Sequence, residues 1–292
     1  MAGDGLHHSE YDPTLAAMLL GEAAHLLRAI GFAADHAILI GGMVPGLLVL
    51  DPGLGHPHVG TADLDLCLSL ALVEADTAEY ERIETALKSI GYEMTDQSFR
   101  WRRNAGLRPA VEFFCPAGEE RPAGELFRPL AEVNPIAKRV MGPRLSALAL
   151  SAGNAISSDV VPVTRDVELP DAGGIIQWTF RVTGLIGFLV AKVDALIRRN
   201  KNKDAYDIVW LLENWEGGPE GAGGSVSDSS LLGRDDVREA MTSLAREFSS
   251  IDRTGPRSYV AFMAAEAASA DDRARLARIA VGAVGEFLES LL

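Results

Sequence analysis

The stretch Asp63-Leu64-Asp65-Leu66-Cys67-Leu68-Ser69-Leu70 alternates strictly between apolar residues and acidic or small ones. A period of two is the pattern of a β-strand. Leu64, Leu66, Leu68 and Leu70 share one face, which predicts burial, and Asp63 and Asp65 begin the other. Two positions apart on a strand, their Cα atoms lie roughly 6.6 Å from each other. Carboxylates converging from that spacing suit a hard cation such as Mg²⁺, which takes oxygen ligands at about 2.0–2.1 Å. An isolated Asp-x-Asp also reads as a solvated strand edge, so its neighbours along the chain decide.

Before this strand, a helix is predicted over 13–30, with Glu22, His25 and Arg28 on its polar side and Gly31 as its C′ residue. Ala37-Ile38-Leu39-Ile40 is a short apolar strand stopped by Gly41-Gly42. Residues 43–50 read as a helix with Pro45 in its first turn, and 51–60, rich in Gly and Pro, as a loop. After the strand, 75–90 is a helix stopped by Gly91. Residues 99–103 and 110–114 form a hairpin around Asn104-Ala105-Gly106. Residues 117–163 show no clear period, and 175–182 is a strand. From Thr183, a candidate N-cap, the character becomes helical: 184–199, 204–215, 234–248, 257–268 and 271–291. Residues 217–230, rich in Gly and Ser, read as a flexible surface loop. The expected organisation is α+β (α/β), with one domain over 13–182 and a helical domain over 183–292.

Of the 292 residues, 48% are hydrophobic and 23% charged, as in folded globular chains. The formal net charge of -14 excludes a wholly basic, nucleic-acid-coating surface, though not a local basic patch. Two such patches are available: Arg100, Arg102, Arg103 and Arg108, and Arg198, Arg199, Lys201 and Lys203. Trp101 in the first suits either base stacking or the core. Cys67 and Cys115 sit in apolar runs and read as buried free thiols of a reducing compartment, with a cross-strand disulfide as the alternative. No Cys/His spacing suggests zinc. No signal peptide and no membrane-spanning run is legible, so a cytoplasmic location is expected.

Three features accompany the acid pair. Gly41-Gly42 at a strand-to-helix turn allows close approach of a phosphate to backbone N–H groups, or serves only as a tight turn. Glu112, within Val111-Glu112-Phe113-Phe114, is an acid in an apolar strand. It either pairs with Arg100, Arg102 or Arg103 across the hairpin, or joins Asp63 and Asp65 as a third metal ligand. Lys192, Lys203 and Asp207 lie on the helices that follow. Lys203 and Asp207, at i and i+4, form either a solvated pair or part of a phosphate clamp with Lys192.

Taken in order, Gly41-Gly42, Thr61-x-Asp63-x-Asp65, Glu112, Lys192 and Lys203-Asp204-x-x-Asp207-Ile208 resemble the DNA polymerase β-like nucleotidyltransferase superfamily. The Lys…Lys-Asp-x-x-Asp-Ile segment is most similar to AbiEii/AbiGii-type toxin nucleotidyltransferases. The resemblance implies a nucleotidyltransferase-fold mixed sheet flanked by helices, followed by a helical domain. It implies transfer of a nucleotide from an NTP, such as ATP, to an acceptor, dependent on Mg²⁺, with Mn²⁺ the alternative. By the same resemblance Gly41, Gly42, Thr61 and Lys203 hold the nucleotide, and Asp63, Asp65 and Glu112 hold metal. Lys192 contacts phosphate, and Asp207 lies near the acceptor or orients Lys192. The acceptor is RNA, a tRNA 3′ end as in toxin members, a protein hydroxyl or a small molecule, and a cognate antitoxin is an implied partner. The chain departs from the pattern at Met43, where Ser or Thr is common. It departs also at Val59 and Gly60, where a basic residue is usual and His58 is the nearest substitute. Those departures motivate an alternative: a catalytically degraded nucleotide-binding or protein-interaction module of the same fold.

Overall fold

The alternating stretch forms strand β2 (Leu64–Leu68), whose three leucines are fully buried. The computed structural model describes residues 7–49, 51–52, 57–69, 77–103, 110–119, 121–128, 145–199 and 201–291. Leu70, the hairpin turn at 104–106 and Arg108 lie outside the described residues. The chain divides into two compact units. A sheet unit comprises Thr14–Ile40 and Thr61–Thr183. A helical unit comprises Met1–Pro13, Gly41–Gly60 and Gly184–Leu292. The break after Thr183 is close to the one read from sequence. The segment Gly41–Gly60, however, leaves the sheet and belongs to the helices.

In the sheet unit, helix α1 (Pro13–Ile30) buries Leu19, Ala23, Leu26, Leu27 and Ile30 and stops at Gly31, whose φ of 60° favours glycine. Strand β1 (Ala37–Ile40) is buried throughout. Helix α2 (Val44–Leu48) belongs to the other unit and is shorter than expected, being preceded by a 3-10 turn at Gly41–Met43. Next in the sheet unit come α3 (Thr77–Ser89), β3 (Tyr92–Met94), β4 (Arg100–Arg103) and β5 (Ala110–Pro116). Then follow β6 (Leu126–Phe127), β7 (Ala147–Leu150), α4 (Gly153–Ser158), β8 (Val160–Glu168) and β9 (Ile175–Thr183). The nine strands make one mixed sheet, running β3-β4-β5-β2-β1-β9-β8 with β7 on β5 and β6 on β7. β1 pairs antiparallel with β2, β2 parallel with β5, and β4 antiparallel with β5. Both faces of β2 are covered at its far end, because Cys67, on the face of Asp65, is buried too. Only the end carrying the acids is partly open. Cys67 and Cys115 are free and buried, and burial raises both thiol pKa values, that of Cys115 to about 11. Trp101 is a core residue.

In the helical unit, α5 (Leu185–Arg199) and α6 (Asn202–Asn214) are followed by α7 (Gly218–Ser227), α8 (Asp235–Glu247), α9 (Thr254–Met263) and α10 (Ala270–Glu289). Helix α6 is the centre, with every residue from Asp204 to Leu212 buried. Two expectations are corrected. Thr183 is no N-cap: it ends β9, and its buried Oγ1 lacks a hydrogen-bond partner, while the Gly184 carbonyl accepts from the Phe188 N–H. The supposed loop at 217–230 is mostly α7. Within it, Gly223 serves close packing. A Cβ on Gly223 would stand 2.6 Å from the Phe287 carbonyl oxygen and 2.5 Å from Ser290 Cβ of α10.

Candidate functional site

The sequence candidates fall into two groups, one in each unit. In the sheet unit, register decides the grouping. Asp65 lies beside Glu112 across the parallel β2–β5 pair, and Glu112 lies beside Arg100 across β4–β5. Residues in register share a face, so two acids and a guanidinium form one row across three strands. Asp63 stands two residues ahead of Asp65, and its N–H donates to Thr61 Oγ1 at 3.4 Å. Arg100 bridges the group: Nη2 donates to both Asp63 oxygens at 3.2 Å, and Nη1 lies 3.1 Å from Glu112 Oε1. The three side chains keep 26%, 28% and 18% exposure for Arg100, Asp63 and Glu112. Arg100 Nε is buried with no hydrogen-bond partner.

Both readings of Glu112 therefore find something here. It is paired with an arginine across the hairpin, and it stands beside Asp65 on the next strand. Among the described residues no three His, Cys, Asp or Glu side chains are gathered as a metal set. Asp63 and Glu112 are instead spread around Arg100. The chemistry of the donors still fits Mg²⁺ or Mn²⁺, since all are hard carboxylate oxygens. The Arg100 guanidinium is drawn between two of them.

In the helical unit the structure gathers Lys192, Lys203, Asp204 and Asp207 with two residues not singled out there from sequence, Arg199 and His58. Lys192 Nζ on α5 lies 2.8 Å from Asp204 Oδ1 and 2.6 Å from Asp207 Oδ2. Lys203 Nζ lies 2.5 Å from Asp207 Oδ1, one turn along α6. Arg199 forks onto Asp204 through Nε and Nη2, both at 3.1 Å. Asp207 is wholly buried. Burial opposes its charge, but Lys192, Lys203 and the His58 hydrogen bond outweigh that and hold its carboxyl far below the usual range.

His58 completes the cluster. The Gly60 N–H donates to Nδ1 at 3.0 Å, which leaves Nε2 to donate to Asp207 Oδ1 at 2.9 Å. The ring stacks on Tyr206, with centroids 5.1 Å apart, and meets Trp210 edge-on. Burial dominates its titration and lowers its pKa to about 4, against the pull of Asp207, so the imidazole is neutral near pH 7. Its only sequence signal was its place just before Thr61-x-Asp63, where a basic residue was sought. With His58 neutral, three cations face two carboxylates, and one positive charge is in excess. Burial first, then the like charge of Lys192, lowers the Lys203 pKa despite Asp207.

Gly41 adopts φ 75° in the turn before α2, a conformation that favours glycine, and Gly42 is buried. No protein-family model matches the chain, and no curated protein sequence matches it.

Proposed function

We propose that the chain is a divalent-metal-dependent nucleotidyltransferase that moves a nucleotide from an NTP to an acceptor hydroxyl and releases pyrophosphate. The observation that carries this reading is the register of β2 on β5, which sets Asp65 beside Glu112 with Asp63 just ahead, around a bound guanidinium. The mixed sheet with its helices is α+β, and the nucleotidyltransferase core is part of the proposal. Asp63, Asp65 and Glu112 would hold Mg²⁺ or Mn²⁺, which supplies charge neutralisation at the phosphates and a more acidic acceptor hydroxyl. Arg100 must release Asp63 and Glu112, at least in part, for those oxygens to serve. Lys203, from the cluster with one cation in excess, is assigned to phosphate, and Gly41 and Gly42 to the triphosphate. Lys192 is held by Asp204 and Asp207, so Asp207 is a positioning residue for both lysines and His58 a positioning residue for Asp207.

The acceptor class remains the widest part of the proposal: RNA, including a tRNA 3′ end, a protein or a small molecule. A role as the toxin of a toxin–antitoxin pair belongs to the same reading. The test is incubation with each α-³²P NTP, Mg²⁺ and either total RNA or cell extract. Label transfer that is lost in Asp65→Ala supports the proposal; transfer that survives that substitution refutes the metal assignment.

One observation favours a second reading. Three carboxylates without a counter-ion would repel one another, but Arg100 relieves that repulsion without a metal. The same fold would then be a degraded nucleotide-binding or interaction module. A thermal-shift titration separates the two. NTP with Mg²⁺ at 100 times Kd stabilises a binding protein by about 2.7 kcal/mol. A shift without label transfer selects the module.

A further inference from the structure

A cleft of about 450 Å³ opens in the helical unit between the start of α6 and the start of α9. Asn202, the first residue of α6, lines it with Asp252, Arg253, Thr254, Arg257 and Ser258. Two helix N-termini therefore border one cleft. Each helix is ten residues or longer and carries about half a positive charge there, although the Asp204 N–H already donates to the Lys201 carbonyl and Pro256 has no N–H to offer.

Neither end carries the usual N-cap, a departure shared with α2 and α4, whose caps Met43 and Ala152 also make no side-chain hydrogen bond. An N-cap is normally Ser, Thr, Asp or Asn, whose side chain accepts from the first turn. Helix α10 obeys this with a full capping box at Ser269 and Asp272. Helix α8 begins after Arg234 but carries Asp235 and Asp236 in its first turn. Helix α6 is capped by Lys201 and α9 by Arg253, and neither has a side-chain cap. The first turn of α9 holds no acid, and the one acid of α6, Asp204, is taken by Lys192 and Arg199. Cations stand where each helix dipole favours an anion.

Ser258 gives the second, independent observation. Its residue is only 5% exposed, yet it lines the cleft. Several helical hydroxyls bond back to the carbonyl four residues earlier, as at Ser158, Ser225, Thr242 and Ser290, while Ser157 Oγ of α4 has no partner among the described residues. The Ser258 hydroxyl makes no hydrogen bond to a described residue, and Arg257, one residue before it, makes no ion pair there. The hydroxyl of Thr254, by contrast, is engaged by Glu247.

We propose that this cleft binds the phosphate of a phosphomonoester, a small molecule about the size of a nucleoside monophosphate. Two arginines less Asp252 leave one positive charge, and two helix ends add about half a charge each, which matches a phosphomonoester dianion. Arg257 can engage two phosphate oxygens, Ser258 can donate to a third, and the backbone N–H groups of Asn202 and Thr254, which line the cleft, add to the shell. The volume exceeds that of phosphate alone and falls in the range of ordinary small-ligand pockets. The proposal is independent of nucleotidyl transfer, because it uses none of the acids of the sheet unit and no metal.

The test is calorimetric titration of the full chain, free of divalent metal, with inorganic phosphate, adenosine 5′-monophosphate and adenosine. Saturable binding of the monophosphate, weaker binding of phosphate and none of adenosine are expected. Arg257→Met, at an exposed position, should weaken monophosphate binding on the order of tenfold or more. Ser258→Ala should weaken it severalfold, and Asp252→Asn should tighten it. The absence of saturable monophosphate binding would overturn the proposal, as would binding untouched by both Arg257→Met and Ser258→Ala. Equal binding of adenosine would show that the pocket reads the base and not the phosphate.

Discussion

The two charge clusters solve opposite problems. The sheet cluster sets Asp63 and Glu112 on one guanidinium, with Asp65 in register beside Glu112, at a partly open strand end. The helical cluster sets three cations around two acids, with Asp207 wholly buried. A half-exposed carboxylate can exchange a guanidinium for water or for another cation at little cost. A buried one cannot, so each of its partners is fixed by geometry. The difference separates what can react from what must hold still. The acids are available for chemistry, while Asp207 is committed to keeping two ammonium groups and one imidazole in place.

The comparison breaks most readily at Asp207. Asp207→Ala leaves Lys192 and Lys203 buried without their shared counter-ion. Removing one partner of a buried pair typically costs about 3–5 kcal/mol, and urea denaturation should show a loss of that order. A loss below about 1 kcal/mol would mean that the cluster is as replaceable as a surface pair.

The pH dependence is the next largest effect. His58 has a folded pKa of about 4 against an ordinary value of 6.5, so between those values the unfolded chain binds a proton that the native chain does not. Stability is complete above about pH 6.5 and falls as pH drops towards 4, by an amount on the order of 3 kcal/mol. Asp207, whose folded pKa is also depressed, extends the loss: its contribution is present above the ordinary carboxylate pKa and disappears only at still lower pH. His58→Gln, which keeps a donor towards Asp207, should flatten the slope between pH 4 and 6.5. An unchanged slope would place its origin elsewhere.

How much of this was legible in the sequence depends on the range of the interactions. β1 and β2 were readable because their patterns are local and strict. Residues 117–163 were not. There β7 is four residues long and is specified by pairing with β5, more than thirty residues earlier. In β8 the alternation is interrupted by Pro162, which is tolerated because β8 is an edge strand. The glycines of α7 carried the composition of a linker, and nothing in it signalled that Gly223 packs a helix on α10. The acids were found by pattern, but the bridging by Arg100 needed the register of three strands. His58 offered almost no signal, since its partner lies 149 residues away.

Arg100 tests the sheet side of the comparison. Arg100→Gln removes two ion pairs between partly exposed groups, which together should cost about 1 kcal/mol or less. The same change takes the guanidinium away from Asp63 and Glu112. Mg²⁺ or Mn²⁺ binding, measured by calorimetry, should therefore tighten relative to the unmodified chain. Binding that weakens instead would show that Arg100 organises the acids for the metal and does not compete with it.

Lys203→Met should give the smallest change, and its sign is informative. The helical cluster carries one cation more than its acids require, and burial already disfavours the charge on Lys203. Methionine retains the apolar stem, and Asp207 keeps Lys192 and the His58 hydrogen bond. Replacing a buried charge by an apolar side chain of similar length is often neutral or stabilising. The expected stability change is within about 1 kcal/mol of zero, in contrast to the loss at Asp207 one turn away on the same helix. If a phosphate is the natural counter-charge of Lys203, the substitution abolishes NTP-dependent thermal stabilisation while leaving the unliganded melting temperature in place. A large drop in that unliganded temperature would instead make Lys203 a structural partner of Asp207, equal in rank to Lys192.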